Sequence, residues 1–231
     1  MDVALVLLPS PLLGPAVWRP VADQLSGDGW VVTLPALTAV PSTPDDVLGE
    51  WLPQFPPDRA VVLVPHSNAG MYVPALAARV SWAGAVFVDA GLPPSSGTVR
   101  LSPEPFLEFL SGLADDAGLL PPWTEWWGDD SPWVVSLSAA AKEAVGSEAM
   151  RLPLSYFAES VRVQPGWDSR PCAYLGFGET YLAEQEEAKQ RGWPLTRLEG
   201  EHLHSVADPL GVAAAIAELL TLLGFAPDAL A

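Results

Sequence analysis

Residues 61–74 read VVLVPHSNAGMYVP, and how this stretch is read decides the fold. A run of Val and Leu over 60–64 ends in Pro65-His66-Ser67-Asn68-Ala69-Gly70, after which the pattern turns helical. A serine at so abrupt a join has two readings. It caps the helix that follows, or it is a nucleophile held on a sharp turn, where Ala69 and Gly70 are small enough for the helix to pass close to the strand. In both cases the helix start offers unbonded backbone N–H groups, which favour negative charge.

Similar runs lie on either side: VALVLL (3–8), WVVTL (30–34), AVFVD (85–89), CAYLG (172–176) and LTRLE (195–199). Most are continuously apolar, as suits strands covered on both faces of a parallel sheet. Helical patterns separate them. Val17, Val21 and Leu25 recur at helical spacing, and residues 43–52 open with a capping Thr43, Pro44 and two acids. Residues 181–191 suit an exposed helix, and 209–223 form an apolar final helix ended by Gly224. The alternation predicts an α/β fold: a doubly wound, mostly parallel six-stranded sheet with helices on both faces. The rhythm breaks between Gly91 and Gly166, a stretch rich in proline and aromatic residues with no clear strand. It is read as a helical cap inserted after the fourth strand. The core is then 1–90 plus 167–231, and the cap 91–166.

A chain of 231 residues accommodates one such domain. The net charge of -17 argues against nucleic acid and anionic membrane surfaces, which need a basic face. No apolar run reaches the ~20 residues that span a bilayer. The amino-terminal stretch carries Asp2 and no early Lys or Arg, unlike a signal peptide. Cys172 is the single cysteine, so no internal disulfide forms. A cytoplasmic location and a small-molecule partner are the expectations.

Ser67 falls at the carboxyl edge of the sheet, where open α/β proteins bind ligands. A serine hydroxyl needs a base to become a good nucleophile. Histidines are scarce: His66, His202 and His204. The last two lie in LEGEHLHSVADPL, on a loop between the sixth strand and the final helix. Glu201, His202 and His204 cluster as potential metal ligands, but no second cluster supports a metal site. No glycine-rich phosphate motif is present, and no cofactor is expected.

These stretches together resemble the α/β-hydrolase family, specifically small members that lack the first antiparallel strands. VVLVPHSNAG is similar to that family's strand, nucleophile elbow and helix. EGEHLHSVADP is similar to its histidine loop, and LLPSPLLGPAVWRPVADQL to its first strand, oxyanion loop and first helix. The resemblance implies Ser67 as nucleophile and His202 as base. It implies an orienting carboxylate after the fifth strand, where Glu179 is the first available. Asp89, ending the fourth strand, is the alternative. The amide of Asn68 is implied as one oxyanion donor. Pro11 occupies the position of the usual second donor and has no N–H, so Leu12 N–H or the Ser10 hydroxyl is expected to replace it. Trp123, Trp126, Trp127 and Tyr156 of the cap, with His204, are expected to line an apolar substrate pocket. The implied activity is hydrolysis of a carboxylic ester or lactone with an apolar or aromatic portion. Pro11 favours a second reading, a lyase or cyclase on the same fold. A non-catalytic ligand-binding protein is the third, and an intact Ser67 and His202 speak against it.

Overall fold

The computed structural model describes residues 3–128 and 131–228; the outer ends of the expected core, residues 1–2 and 229–231, lie outside them. Six strands form the main sheet: β1 (Val3–Leu8), β2 (Val31–Thr33), β3 (Ala60–Ser67), β4 (Trp82–Ala90), β7 (Cys172–Phe177) and β8 (Leu195–Leu198). Their order is β2-β1-β3-β4-β7-β8, and every pairing is parallel. All residues of β1 and β7 are buried, so both faces of the sheet centre are covered and the alternation of an exposed strand is absent. The helices that follow strands are α1 (Arg19–Gly27), α2 (Pro44–Trp51), α3 (Val73–Ala77), α8 (Leu182–Gln190), α9 (His204–Ala207) and α10 (Pro209–Leu222). Helix α10 packs on α1 and on β7, and α8 packs on β7 and β8.

Local chemistry sets the boundaries. Thr43 accepts from the Asp46 N–H while the Asp46 carboxylate accepts from the Thr43 N–H, a capping box that starts α2. Asp208 caps α10 through the Gly211 N–H at 3.0 Å.

The direction in which strands are added reverses at β1: β2 lies on one side of it and β3 on the other. This switch point is where an open parallel sheet leaves a crevice at its carboxyl edge. The ends of β1, β3, β4, β7 and β8 all reach that edge, and they carry the Pro9–Gly14 loop, Ser67, Asp89, Tyr181 and His202 in turn.

The insertion corrects one expectation. It holds helices α4 (Glu104–Ser111), α5 (Pro132–Ser136), α6 (Ala139–Glu148) and α7 (Leu154–Ala158), but also two strands. Strands β5 (Gly97–Arg100) and β6 (Ser160–Val163) pair antiparallel and draw its two ends together. In β6, Val161 and Val163 are buried between exposed Ser160 and Arg162. Alternation over four residues is too short to stand out in sequence.

Candidate active site

Ser67 sits on a strained turn. Its backbone has φ 58° and ψ -131°, a conformation costly for any residue with a Cβ. The side chain does not cap the following helix, so the capping reading fails. Beyond it the chain makes a 3-10 turn over Asn68–Tyr72 and then α3. Gly70 is required here, because a Cβ at this position would lie 2.1 Å from the Gly91 carbonyl oxygen.

His202 reaches the same edge from the loop after β8. Its Nδ1 donates to Asp89 Oδ2 at 2.6 Å. Donation from Nδ1 to a carboxylate leaves Nε2 with a lone pair, the tautomer a general base needs. Asp89 is fully buried and is itself held: its Oδ1 accepts the Phe177 N–H at 3.1 Å. Asp89 is also the second non-glycine residue with positive φ, at 40°. The Tyr174 hydroxyl bridges the Ala90 N–H and carbonyl at 3.0 and 2.7 Å, pinning the chain just past the carboxylate.

This geometry corrects the expectation for Glu179. That side chain is exposed on the turn after β7 and makes no bond to His202. The turn pivots on Gly178, φ +45°, where a Cβ would meet the Gly200 carbonyl oxygen at 2.6 Å. The close approach of the two loops leaves Glu179 pointing to solvent, and the buried place beside the imidazole goes to Asp89.

His66 was passed over in the sequence and proves central. It is fully buried, its ring is stacked on that of His202 with centroids 4.5 Å apart, and its Nε2–H donates to the His202 carbonyl at 2.9 Å. Burial first, then the neighbouring His202, holds its pKa well below the ordinary histidine value, so it stays neutral. Through its bond to that carbonyl it anchors the backbone of His202.

The β1 loop is poor in donors. Pro11 has none. The Leu12 N–H turns towards Ser10 Oγ at 3.4 Å, and the Leu13 and Gly14 amides both point to the Ser10 carbonyl, at 2.9 and 3.3 Å. The expectation that Leu12 would aim its amide at the nucleophile is therefore not met in this conformation. Ser10 is wholly buried beneath the loop. Beside Ser67, the Asn68 N–H has no acceptor among the described residues, while the Asn68 side chain donates to the Leu101 carbonyl at 2.7 Å and ties the elbow to the insertion. Helix α6 clamps the loop from outside. Glu148 accepts the Ala16 N–H at 2.7 Å and pairs with Arg19, and the Met150 N–H donates to the Leu12 carbonyl at 3.3 Å.

The aromatic residues of the insertion divide into two groups. Trp123 covers His202, with ring centroids 5.8 Å apart, and packs on Trp127 and Trp133. Trp127 and Trp133 each keep a buried indole N–H with no partner among the described residues. Trp126 packs within the insertion, on Phe106, Trp127 and Phe157, whereas Tyr156 belongs to the packing that joins the insertion to the core. Trp126 bonds the Pro121 carbonyl at 2.8 Å, and the fully buried Tyr156 hydroxyl pairs with that of Tyr72. His204 packs edge-on against Phe177 and does not join the tryptophans. A cavity of about 360 Å³ lies between the β1 loop and the end of α6, lined by Pro9, Pro11, Leu37, Trp51 and Met150 among others.

One further residue reaches Ser67. The Tyr181 hydroxyl lies 3.4 Å from Ser67 Oγ, and its ring centroid is 5.5 Å from that of His202. It stands two residues after Glu179, and nothing in the sequence singled it out.

No protein-family model matches the sequence, and no curated protein is similar to it in sequence. Solved structures match it closely in shape. Polyneuridine aldehyde esterase superposes with a TM-score of 0.70 at 19% identity, over 96% of this chain and 99% of that one. An extracellular alpha/beta-hydrolase from a Paenibacillus species gives 0.72 at 18%, over 94% and 98%. The H243A variant of tomato methylketone synthase I, complexed with beta-ketoheptanoate, gives 0.71 at 13%, over 96% and 98%. The chain has the α/β-hydrolase fold.

Proposed function

We propose that this protein is a serine hydrolase that cleaves a carboxylic ester or lactone carrying an apolar or aromatic group. The observation that carries the reading is the strained Ser67 on its elbow, placed at the same sheet edge as a buried Asp89–His202 pair. Strain of this kind persists only where the surroundings enforce it, and it is concentrated at working sites. Ser67 Oγ attacks the carbonyl carbon, and His202 Nε2 takes its proton. Asp89 holds the imidazole tautomer and balances the imidazolium that forms. The Asn68 N–H receives the oxyanion. His202 then returns the proton to the leaving alkoxide, and water releases the acyl group by the reverse sequence. Trp123 above His202 supplies apolar surface for the substrate. Two of the named neighbours, an esterase and a hydrolase, agree with the class. A cytoplasmic site of action belongs to this reading.

Pro11 and the turned Leu12 amide favour one alternative, a lyase or cyclase that uses Ser67 and His202 for proton transfer without a tetrahedral oxyanion. Labelling with an activated fluorophosphonate, followed by turnover on a panel of esters and lactones, separates the two. Ser67 labelled, and both labelling and turnover lost in Ser67→Ala, is the expected result. Labelling without turnover of any ester or lactone would favour the lyase.

A further inference from the structure

Tyr181 approaches Ser67 from the side of β4 and β7, opposite the β1 loop. The hydroxyl-to-hydroxyl distance of 3.4 Å is long against the usual ~2.7–2.8 Å of such bonds, so the phenol is close to the nucleophile without being locked to it. It has no other hydrogen-bond partner among the described residues. Its ring lies beside that of His202. An acyl carbon bonded to Ser67 Oγ turns its oxyanion to the Asn68 amide and its leaving oxygen to His202, which must protonate it. The Tyr181 ring lies beside that of His202 with its hydroxyl 3.4 Å from Ser67 Oγ, within reach of this leaving oxygen.

We propose that Tyr181 is a catalytic residue whose O–H hydrogen-bonds the leaving oxygen as the ester C–O bond breaks, fitting the site to esters of poorly leaving alcohols and to lactones. This rests on the reading of Ser67 as nucleophile. In the step, the Oγ–C bond forms and the serine proton passes to His202 Nε2. The C–O bond then breaks, and that proton goes to the leaving oxygen. Tyr181 steadies the developing alkoxide and keeps its own proton throughout. Burial, above all, raises its pKa beyond the ordinary phenol value, so it is a donor at every working pH. With Pro11 unable to donate on the other side, a donor here helps the step in which a poor leaving group is expelled.

The test compares wild type with Tyr181→Phe on esters of one acid, phenylacetate, with p-nitrophenol, ethanol and methanol as leaving groups. A nitrophenolate leaves without help; an alkoxide does not. The expected result is a kcat/KM loss of roughly 10²-fold on the alkyl esters and little change on the nitrophenyl ester. Fluorophosphonate labelling of Ser67 should keep its wild-type rate, which shows that the variant site is intact. An equal loss on all three esters, or no loss on any, would overturn the proposal, the first by assigning Tyr181 to the positioning of Ser67. If wild-type Ser67 resists labelling and Ser67→Ala retains activity, the nucleophile reading itself fails, with a signature the Tyr181 variant does not produce.

Discussion

On one side of Ser67 the chain leaving β1 reads Pro9-Ser10-Pro11-Leu12-Leu13-Gly14; on the other, the chains leaving β4, β7 and β8 bring Asp89, Tyr181 and His202. The first loop offers almost nothing to a reaction. Two of its residues, Pro9 and Pro11, lack an N–H, the three amides after Pro11 turn inward to Ser10, and Glu148 at the end of α6 and Met150 just beyond it fasten the segment from outside. The second side is made of groups that move or share protons, and two of them are held by named partners: Asp89 by the Phe177 amide, His202 by Asp89 and His66. Stabilisation of an oxyanion by aimed amides is commonly the largest single contribution to acyl transfer, and one donor is worth ~3 kcal/mol. A site with a donor-poor first loop therefore leans on the proton-handling side. On the proposed hydrolase reading this difference predicts a slow esterase, and it can be broken from either direction.

The largest effect is expected on the proton-handling side. Ser67→Ala or His202→Ala should lower kcat by roughly 10⁴–10⁶ on whichever ester proves best, since members of such a unit fail together. His204→Ala should leave kcat nearly unchanged, because that ring packs on Phe177. A larger loss from His204 than from His202 would move the base.

Asp89→Asn should cost about 10³–10⁴ in kcat, because an amide at that place favours the wrong imidazole tautomer. Glu179→Gln should have no measurable effect. Steady-state rates of the two variants settle which carboxylate works, and the reverse ranking would refute the pairing observed here.

The donor-poor side is tested by gain rather than loss. Pro11→Ala supplies the missing N–H, and kcat should rise by about tenfold, below the 10²–10³ that one well-aimed donor is worth. An unchanged kcat, with the fold intact by circular dichroism, would mean that the amide at this place faces away from the oxyanion.

The smallest effect is on stability. His66 is neutral in the folded protein because its folded pKa lies below the unfolded value near 6.5. Its contribution is complete above that pH. As pH falls below it, the unfolded chain takes up a proton that the folded chain does not, and stability drops by up to about 1.4 kcal/mol per pH unit from this group. Urea midpoints at pH 7.5 and 5.5 should show the fall, and His66→Gln should flatten it. A slope unchanged in the variant would place the acid sensitivity elsewhere.

The sequence by itself determined the features that are local in the chain. Short runs, most of them continuously apolar, marked the six sheet strands. The join at Ser67, with small residues after it, marked the elbow, and a histidine between the last strand and the last helix marked the partner loop. These are readable because backbone strain, helix capping and apolar periodicity act over a few neighbouring residues. The four-residue pair β5 and β6 escaped because so short an alternation carries little signal. The choice between Asp89 and Glu179 was not readable either. Both follow a strand at the same sheet edge, and their difference arises where Gly178 meets Gly200 and where the Phe177 amide turns to Asp89. Tyr181 beside Ser67 and His66 beneath His202 belong to the same kind. They join residues up to 136 positions apart, and only the packing of one strand end against the next brings such residues together.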